Sequence, residues 1–268
     1  MEILRVTDLA VYFGEGPRLV KAVDHISFSL NSGELLGIVG ESGAGKTMTA
    51  LSIMRLLPPA AKLISGEIMF QGTNLLTLSG KKMRSIWGSK IEMIPQDPTG
   101  SLNPVTNVGG QIRKMFQYHR PDVSKKNQGQ AVIELLERVR IPDAEKRYYN
   151  FPHQLSGGMN QRVIIAMALA VNPSLILADE PTTALDVTVQ AKILDDLTSL
   201  ARKKGVSLIL ITHNLGLIAE YVDRVLVMRK GKIVDQGPIL EIFAKPKHPY
   251  FKHLLEAVPR IGGERNDS

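Results

Sequence analysis

The stretch Gly40-Glu41-Ser42-Gly43-Ala44-Gly45-Lys46-Thr47 constrains this chain more than any other. An apolar run, Leu35 to Val39, precedes it as a candidate buried parallel strand, and a helical pattern over Met48 to Leu57 follows. Strand, glycine-rich turn and helix are the context in which the pattern GxxxxGK[ST] cradles a polyphosphate. The glycines let the backbone turn tightly and bring its N–H groups around an anion. A helix starting near Gly45 aims its unpaired N–H groups and positive dipole end at the same anion. Lys46 supplies a charge for the β- and γ-phosphates, and the Thr47 hydroxyl can ligate Mg²⁺. A chance Gly/Ser-rich turn is the alternative, and the strand and helix on either side weigh against it. These residues point to a bound nucleoside triphosphate.

At 268 residues, 44% of them hydrophobic and 22% charged, the chain has the composition of an ordinary globular protein. It contains no cysteine, which excludes disulfides, thiolate metal sites and a catalytic thiol and suits a reducing compartment. Met1-Glu2-Ile3-Leu4-Arg5 lacks the layout of a signal peptide, and no apolar run approaches the ~20 residues that cross a bilayer. The expectation is a cytosolic protein that meets a membrane only through a partner or its surface. The net charge of +7 would admit nucleic acid, anionic lipid or nucleotide. Its basic residues are dispersed, however, and Lys81-Lys82, Lys125-Lys126 and Arg202-Lys203-Lys204 read as solvated helix faces. Aromatics are few and not interleaved with them, so no nucleic-acid partner is expected.

Taken in order, residues 3–31 alternate like antiparallel strands, broken at Gly14–Pro17. Tyr12 and Phe13 end the first strand. Phe13, more than Tyr12, is a candidate to stack on a nucleotide base, although core or edge packing is the ordinary fate of such a ring. Pro58-Pro59 stops the helix after the phosphate loop, Gly66 to Gln71 reads as a strand, and Ile91 to Pro95 runs into Gln96-Asp97-Pro98. A polar amide at the carboxyl end of a strand sits where α/β folds bind ligands. Over residues 99–172 strands give way to helical patterns at Val105–Tyr118, Lys126–Val139 and Gly158–Val171, an inserted helical subdomain. Its last helix opens with Leu155-Ser156-Gly157-Gly158, where Ser156 is a natural N-cap before a helix N-terminus. The apolar strand Leu175 to Ala178 ends in Asp179 and Glu180. An aspartate there in a phosphate-loop protein holds Mg²⁺, and Glu180 is placed to polarise an attacking water. A further apolar strand, Ser207 to Thr212, ends in His213.

Together these residues resemble the ATP-binding subunits of ABC transporters over nearly the whole chain. Gly40, Glu41, Ser42, Gly43, Ala44, Gly45, Lys46 and Thr47 match the Walker A loop, Gln96 the Q-loop, and Leu155, Ser156, Gly157 and Gly158 the signature. Leu175–Glu180 matches Walker B with its catalytic glutamate, Ala184-Leu185-Asp186 the D-loop, and His213 the switch histidine. Phe13 falls where the family stacks adenine. Two positions depart from the family pattern, Met159 in place of glutamine after the signature and Thr183-Ala184 in the D-loop. Neither removes a backbone phosphate contact. Gln96–Pro104 and Lys247-His248-Pro249-Tyr250 resemble the peptide and nickel importer branch, without the cysteine-containing extension of some relatives.

The resemblance implies an α/β fold with a RecA-like P-loop core, an N-terminal antiparallel β subdomain and an inserted α-helical subdomain. It would form a single nucleotide-binding domain over 1–268, with the helical insertion at about 99–172 and a short tail at 238–268. It further implies ATP and Mg²⁺ as cofactors, with Thr47, Gln96 and Asp179 near the ion and Glu180, His213 and Gln96 as catalytic groups. Leu155 to Gly158 would act in trans, on ATP held by a second, related subunit. Two transmembrane permeases and, indirectly, an extracytoplasmic binding protein would complete an importer at the cytoplasmic face of the membrane. A soluble ABC ATPase acting on DNA or ribosomes usually has two cassettes or a long coiled coil, and neither occurs here. A phosphate-loop kinase would lack the signature and switch histidine, and no guanine-reading NKxD is present.

Overall fold

The alternating N-terminal residues pair as the sequence predicts. In a computed structural model of the chain, which describes residues 1–182 and 187–256, β1 (Glu2–Phe13) and β2 (Val20–Asn31) run antiparallel. Leu4 faces Leu30 and Val6 faces Phe28, so one face of the ribbon is apolar. The chain then leaves this sheet through β3 (Leu35–Val39) and α1 (Lys46–Met54). It returns as β4 (Ala61–Phe70), antiparallel to β1, with the short β5 (Thr73–Asn74) beyond. The order is β2-β1-β4-β5. Pairing with β1 begins β4 at Ala61, earlier than Gly66; residues 61–67 are mostly exposed and show no apolar alternation from which the earlier start could be read.

Helix α1 begins two residues before the predicted Met48 because Gly45 takes a left-handed backbone as its N-cap. It ends before the predicted Leu57 because Arg55 is also left-handed, and its N–H bonds to the carbonyls of Leu51 and Ser52. After α2 (Gly80–Arg84), β6 (Ile91–Ile94) joins the second sheet. Between β6 and the next strand the described residues form helices and loops: α3 (Pro98–Ser101), α4 (Val108–His119), α5 (Gln128–Arg138), α6 (Ala144–Arg147) and α7 (Gly157–Ala170). The chain continues through β7 (Leu175–Asp179), α8 (Val187–Lys204), β8 (Ser207–Thr212) and α9 (Leu215–Tyr221). It closes with β9 (Arg224–Arg229), β10 (Lys232–Pro238), α10 (Ile239–Ala244) and α11 (Pro249–Glu256).

The second sheet has the order β10-β9-β3-β8-β7-β6, parallel throughout except for β10. Its central strands are continuous apolar runs because both faces are buried. Leu36 and Ile38 of β3, Leu177 of β7 and Ile209 and Ile211 of β8 face the core shared with α1 and the antiparallel sheet. Leu35 and Val39, Ile176, and Leu208 and Leu210 face the opposite core, shared with α4, α5, α7 and α8. The parallel register brings the carboxyl ends of β3, β7 and β8 to one edge, where α/β sheets place their ligands. No helix among the described residues is long and apolar enough to cross a membrane.

Candidate nucleotide-binding site

The loop between β3 and α1 has a shape that side chains would obstruct. Gly40 has φ 153°, and a Cβ there would lie 2.2 Å from the Met228 carbonyl oxygen. Gly45 has φ 103°, and a Cβ there would lie 2.2 Å from the Ala22 carbonyl oxygen. Glycine at both positions lets the loop wrap closely against β2 and β9. The Lys46 ammonium folds back inside it and donates to the carbonyl oxygens of Gly40 at 2.8 Å and Glu41 at 3.0 Å.

The ends of β6, β7 and β8 supply the opposing wall. The Thr47 hydroxyl donates to Asp179 Oδ1 at 3.2 Å. Glu180 directly follows β7 with a left-handed backbone, φ 45°, its N–H donating to the Ile211 carbonyl at 2.9 Å. Such strained positions in non-glycine residues gather at functional sites. The Glu180 carboxylate receives Gln96 Nε2 at 3.4 Å on one oxygen and lies 3.2 Å from His213 Nδ1 on the other. Lys46 Nζ lies 4.0 Å from that second oxygen. Lys46, Thr47, Gln96, Asp179, Glu180 and His213 therefore converge, although up to 167 positions separate them (213 − 46).

Burial sets the electrostatics. It pushes the Lys46 ammonium below its ordinary pKa, opposed by the charges of Glu180 and Asp179. It pushes the Asp179 carboxyl up, opposed by the Thr47 hydroxyl bond. An arriving polyphosphate would add negative charge beside the ammonium and raise its pKa again. Thr47 and Asp179 present oxygen donors only, a set that suits a hard cation such as Mg²⁺. Among the described residues no group of three His, Cys, Asp or Glu is arranged to hold a metal alone, so phosphate oxygens and water would complete the shell.

A cavity of 1130 Å³ opens over the loop. Gly40 to Thr47 without Ala44, together with Gln96, Glu180 and His213, line it, and Phe13 stands on its wall at the end of β1. Tyr12 is engaged elsewhere, donating from its hydroxyl to Asp24 Oδ1 at 2.9 Å. Ala44 is buried beneath the loop. Lys21, Lys230 and Leu254 also line the cavity. They carry no motif, and only the pairing of β1 with β2, the β9–β10 turn and the packing of α11 bring them there. Leu155, Ser156, Gly157 and Gly158 are not among the lining residues. Ser156 caps α7, accepting from the Met159 N–H at 3.3 Å. Asp186 lies outside the described residues.

Comparison with known proteins shows the family. The family profile described as ABC transporter matches residues 23–183. A probable peptide ABC transporter ATP-binding protein of Sinorhizobium fredii is 49% identical over 258 residues, covering 96% of this chain and 77% of that protein. A dipeptide transport ATP-binding protein of Haemophilus influenzae is 49% identical over 261 residues, covering 97% and 79%. Among solved structures, a dimeric ATP-binding cassette in a post-hydrolysis state with ADP and phosphate superposes with a TM-score of 0.78 at 25% identity, covering 88% of this chain and 99% of that one.

Proposed function

The chain belongs to the ABC transporter family and is an ATPase, and we propose that it drives an importer of short peptides. The observation that carries the ATPase part of this reading is the convergence of Lys46, Thr47, Gln96, Glu180 and His213 on one cavity, with Asp179 bonded to Thr47. The peptide cargo rests on the relatives, whose names favour peptides over nickel. The partners would be a second, related ATP-binding subunit and two membrane permeases, fed by an extracytoplasmic binding protein. The chain would work at the cytoplasmic face.

In this mechanism the loop N–H groups and Lys46 hold the β- and γ-phosphates, while Phe13 stacks on the adenine. The Lys46 ammonium has three N–H groups, so the one not given to the Gly40 and Glu41 carbonyls is left for a phosphate oxygen. Thr47 and Asp179, with Gln96 close by, would hold Mg²⁺, which would neutralise charge on the phosphates. Glu180 accepts a proton from, or orients, the water that attacks the γ-phosphate in line. His213 and Gln96 hold the Glu180 carboxylate by its two oxygens, and His213 contacts the γ-phosphate once it arrives. Glu180→Gln is expected to keep ATP affinity and lose single-turnover hydrolysis by at least ~100-fold, in the range of a lost general base. Lys46→Ala is expected to weaken binding itself. Hydrolysis by Glu180→Gln at the wild-type rate would refute the assignment.

A further inference from the structure

Helix α11 reaches the phosphate loop through one side chain. The Tyr250 hydroxyl accepts a hydrogen bond from the Glu41 backbone N–H at 3.1 Å. That N–H belongs to the same peptide unit as the Gly40 carbonyl, which accepts from Lys46 Nζ at 2.8 Å. A planar trans peptide directs its N–H and C=O to opposite sides. The unit is thus held on one side by Tyr250 and on the other by the lysine that faces the phosphates. Hydrogen bonds linked in such a chain polarise one another.

Tyr250 is itself fixed. Its side chain is buried, and the Arg229 guanidinium lies over its ring, 4.6 Å from the centroid. Its N–H donates to His248 Nδ1 at 3.1 Å, and Asp235 Oδ2 accepts from the N–H groups of Lys247 and His248 at 2.9 and 3.1 Å. Behind it Phe251 is fully buried and meets Phe243 of α10 edge to face. Leu254, one turn along α11, lines the nucleotide cavity. A segment that belongs to none of the phosphate-binding motifs is therefore anchored to β10 and hydrogen-bonded to the loop at the Gly40–Glu41 peptide.

We propose that Tyr250 is a positioning residue of the phosphate loop: its hydroxyl fixes the Gly40–Glu41 peptide, so that nucleotide at Lys46 and docking of residues 239–256 reinforce each other. The inference rests on the nucleotide site assigned above. Because coupling between two equilibria is reciprocal, a loop that binds nucleotide better with Tyr250 in place must also hold α11 more firmly with nucleotide bound.

Tyr250→Phe removes the hydroxyl while keeping the ring against Arg229 and the core. With the full chain and MgADP as probe, the variant is expected to bind about 3- to 10-fold more weakly, the range for one lost hydrogen bond. Hydrogen exchange of peptides within 239–256 is expected to slow when MgADP binds the wild type. In Tyr250→Phe this response should vanish, while protection without nucleotide should fall by no more than the few-fold of one lost hydrogen bond. Unchanged affinity, or an unchanged response of the tail to MgADP, would overturn the inference. Loss of tail protection in Tyr250→Phe without nucleotide beyond that few-fold would overturn it too, since the variant would then have undocked the segment rather than uncoupled it. Lys46→Ala binding MgADP as well as the wild type would instead bring down the site, and this inference with it.

Discussion

Glu92, in the middle of β6, shows what a single carboxyl does to stability when burial is not matched by a charge. It is half-buried on β6 opposite Ile176, and its carboxylate accepts a local bond from the Met93 N–H at 3.2 Å. Burial pushes its pKa from 4.5 up to about 7, with the Met93 bond working the other way. The protonated form is therefore favoured in the folded chain. Stabilisation is fully present below pH 4.5 and is lost as pH rises through about 7. Glu92→Gln keeps an acceptor for Met93 and removes the titration. It should match the wild type near pH 4 and exceed it by about 3 kcal/mol near pH 8, since each tenfold change in proton affinity is worth ~1.4 kcal/mol. Urea denaturation at both pH values checks this, and an equal difference at the two would contradict it. Single residues were unevenly legible. Gly40, Gly45 and Lys46 could be read directly because a phosphate loop admits few residue types at those places. Lys21, Lys230 and Tyr250 could not, because strand pairing and the docking of α11, rather than local pattern, bring them to the site.

Elements were legible where two buried faces leave a continuous apolar run, as in β3, β7 and β8. They were not where tertiary pairing overrides a polar, exposed sequence, as in the first half of β4. The helical pattern over Gly158–Val171 located α7, but not what holds it to the neighbouring helix α8. Arg162 of α7 is buried and donates to the Val139 carbonyl at 2.6 Å and to a carboxylate oxygen of Asp196 in α8, while Arg140 Nε reaches the other oxygen at 2.8 Å. Asp196 thus ties the helix behind the Ser156 cap to the helix that crosses over between β7 and β8. Asp196→Ala would strand the Arg162 guanidinium in a buried site, and losing one partner of such a pair costs about 3–5 kcal/mol. The expected result is that loss in urea denaturation, with the replacement of exposed Arg140 by alanine costing far less. Comparable losses for the two variants would contradict the weight given to the buried pair.

For the molecule as a whole, the nucleotide cavity and the Ser156 cap are separate features of one chain. Glycine loop, acidic strand end and His213 meet across the sheet edge, whereas Leu155 to Gly158 open α7 without lining that cavity. The sequence named both groups, and their order along the chain carried the family resemblance. It could not place one relative to the other, since that depends on how the helices between β6 and β7 pack. A helix N-terminus offers unpaired N–H groups and partial positive charge, and in the proposed mechanism the loop of Lys46 holds the phosphates from its own side. The reading that uses both is that Ser156-Gly157-Gly158 closes onto ATP bound by a second subunit. Gly157→Asp would put a side chain and a negative charge at that docking point. In a complex where only this chain carries Gly157→Asp, its own Lys46 site should keep near-normal ATP affinity and should still be closed by the partner's signature. The partner's ATP should lose its second half-site and fail to be occluded. Trapping nucleotide separately at the two sites measures this. Loss of binding at the mutated chain's own Lys46 site, with normal occlusion at the partner's, would show that the signature acts within its own chain.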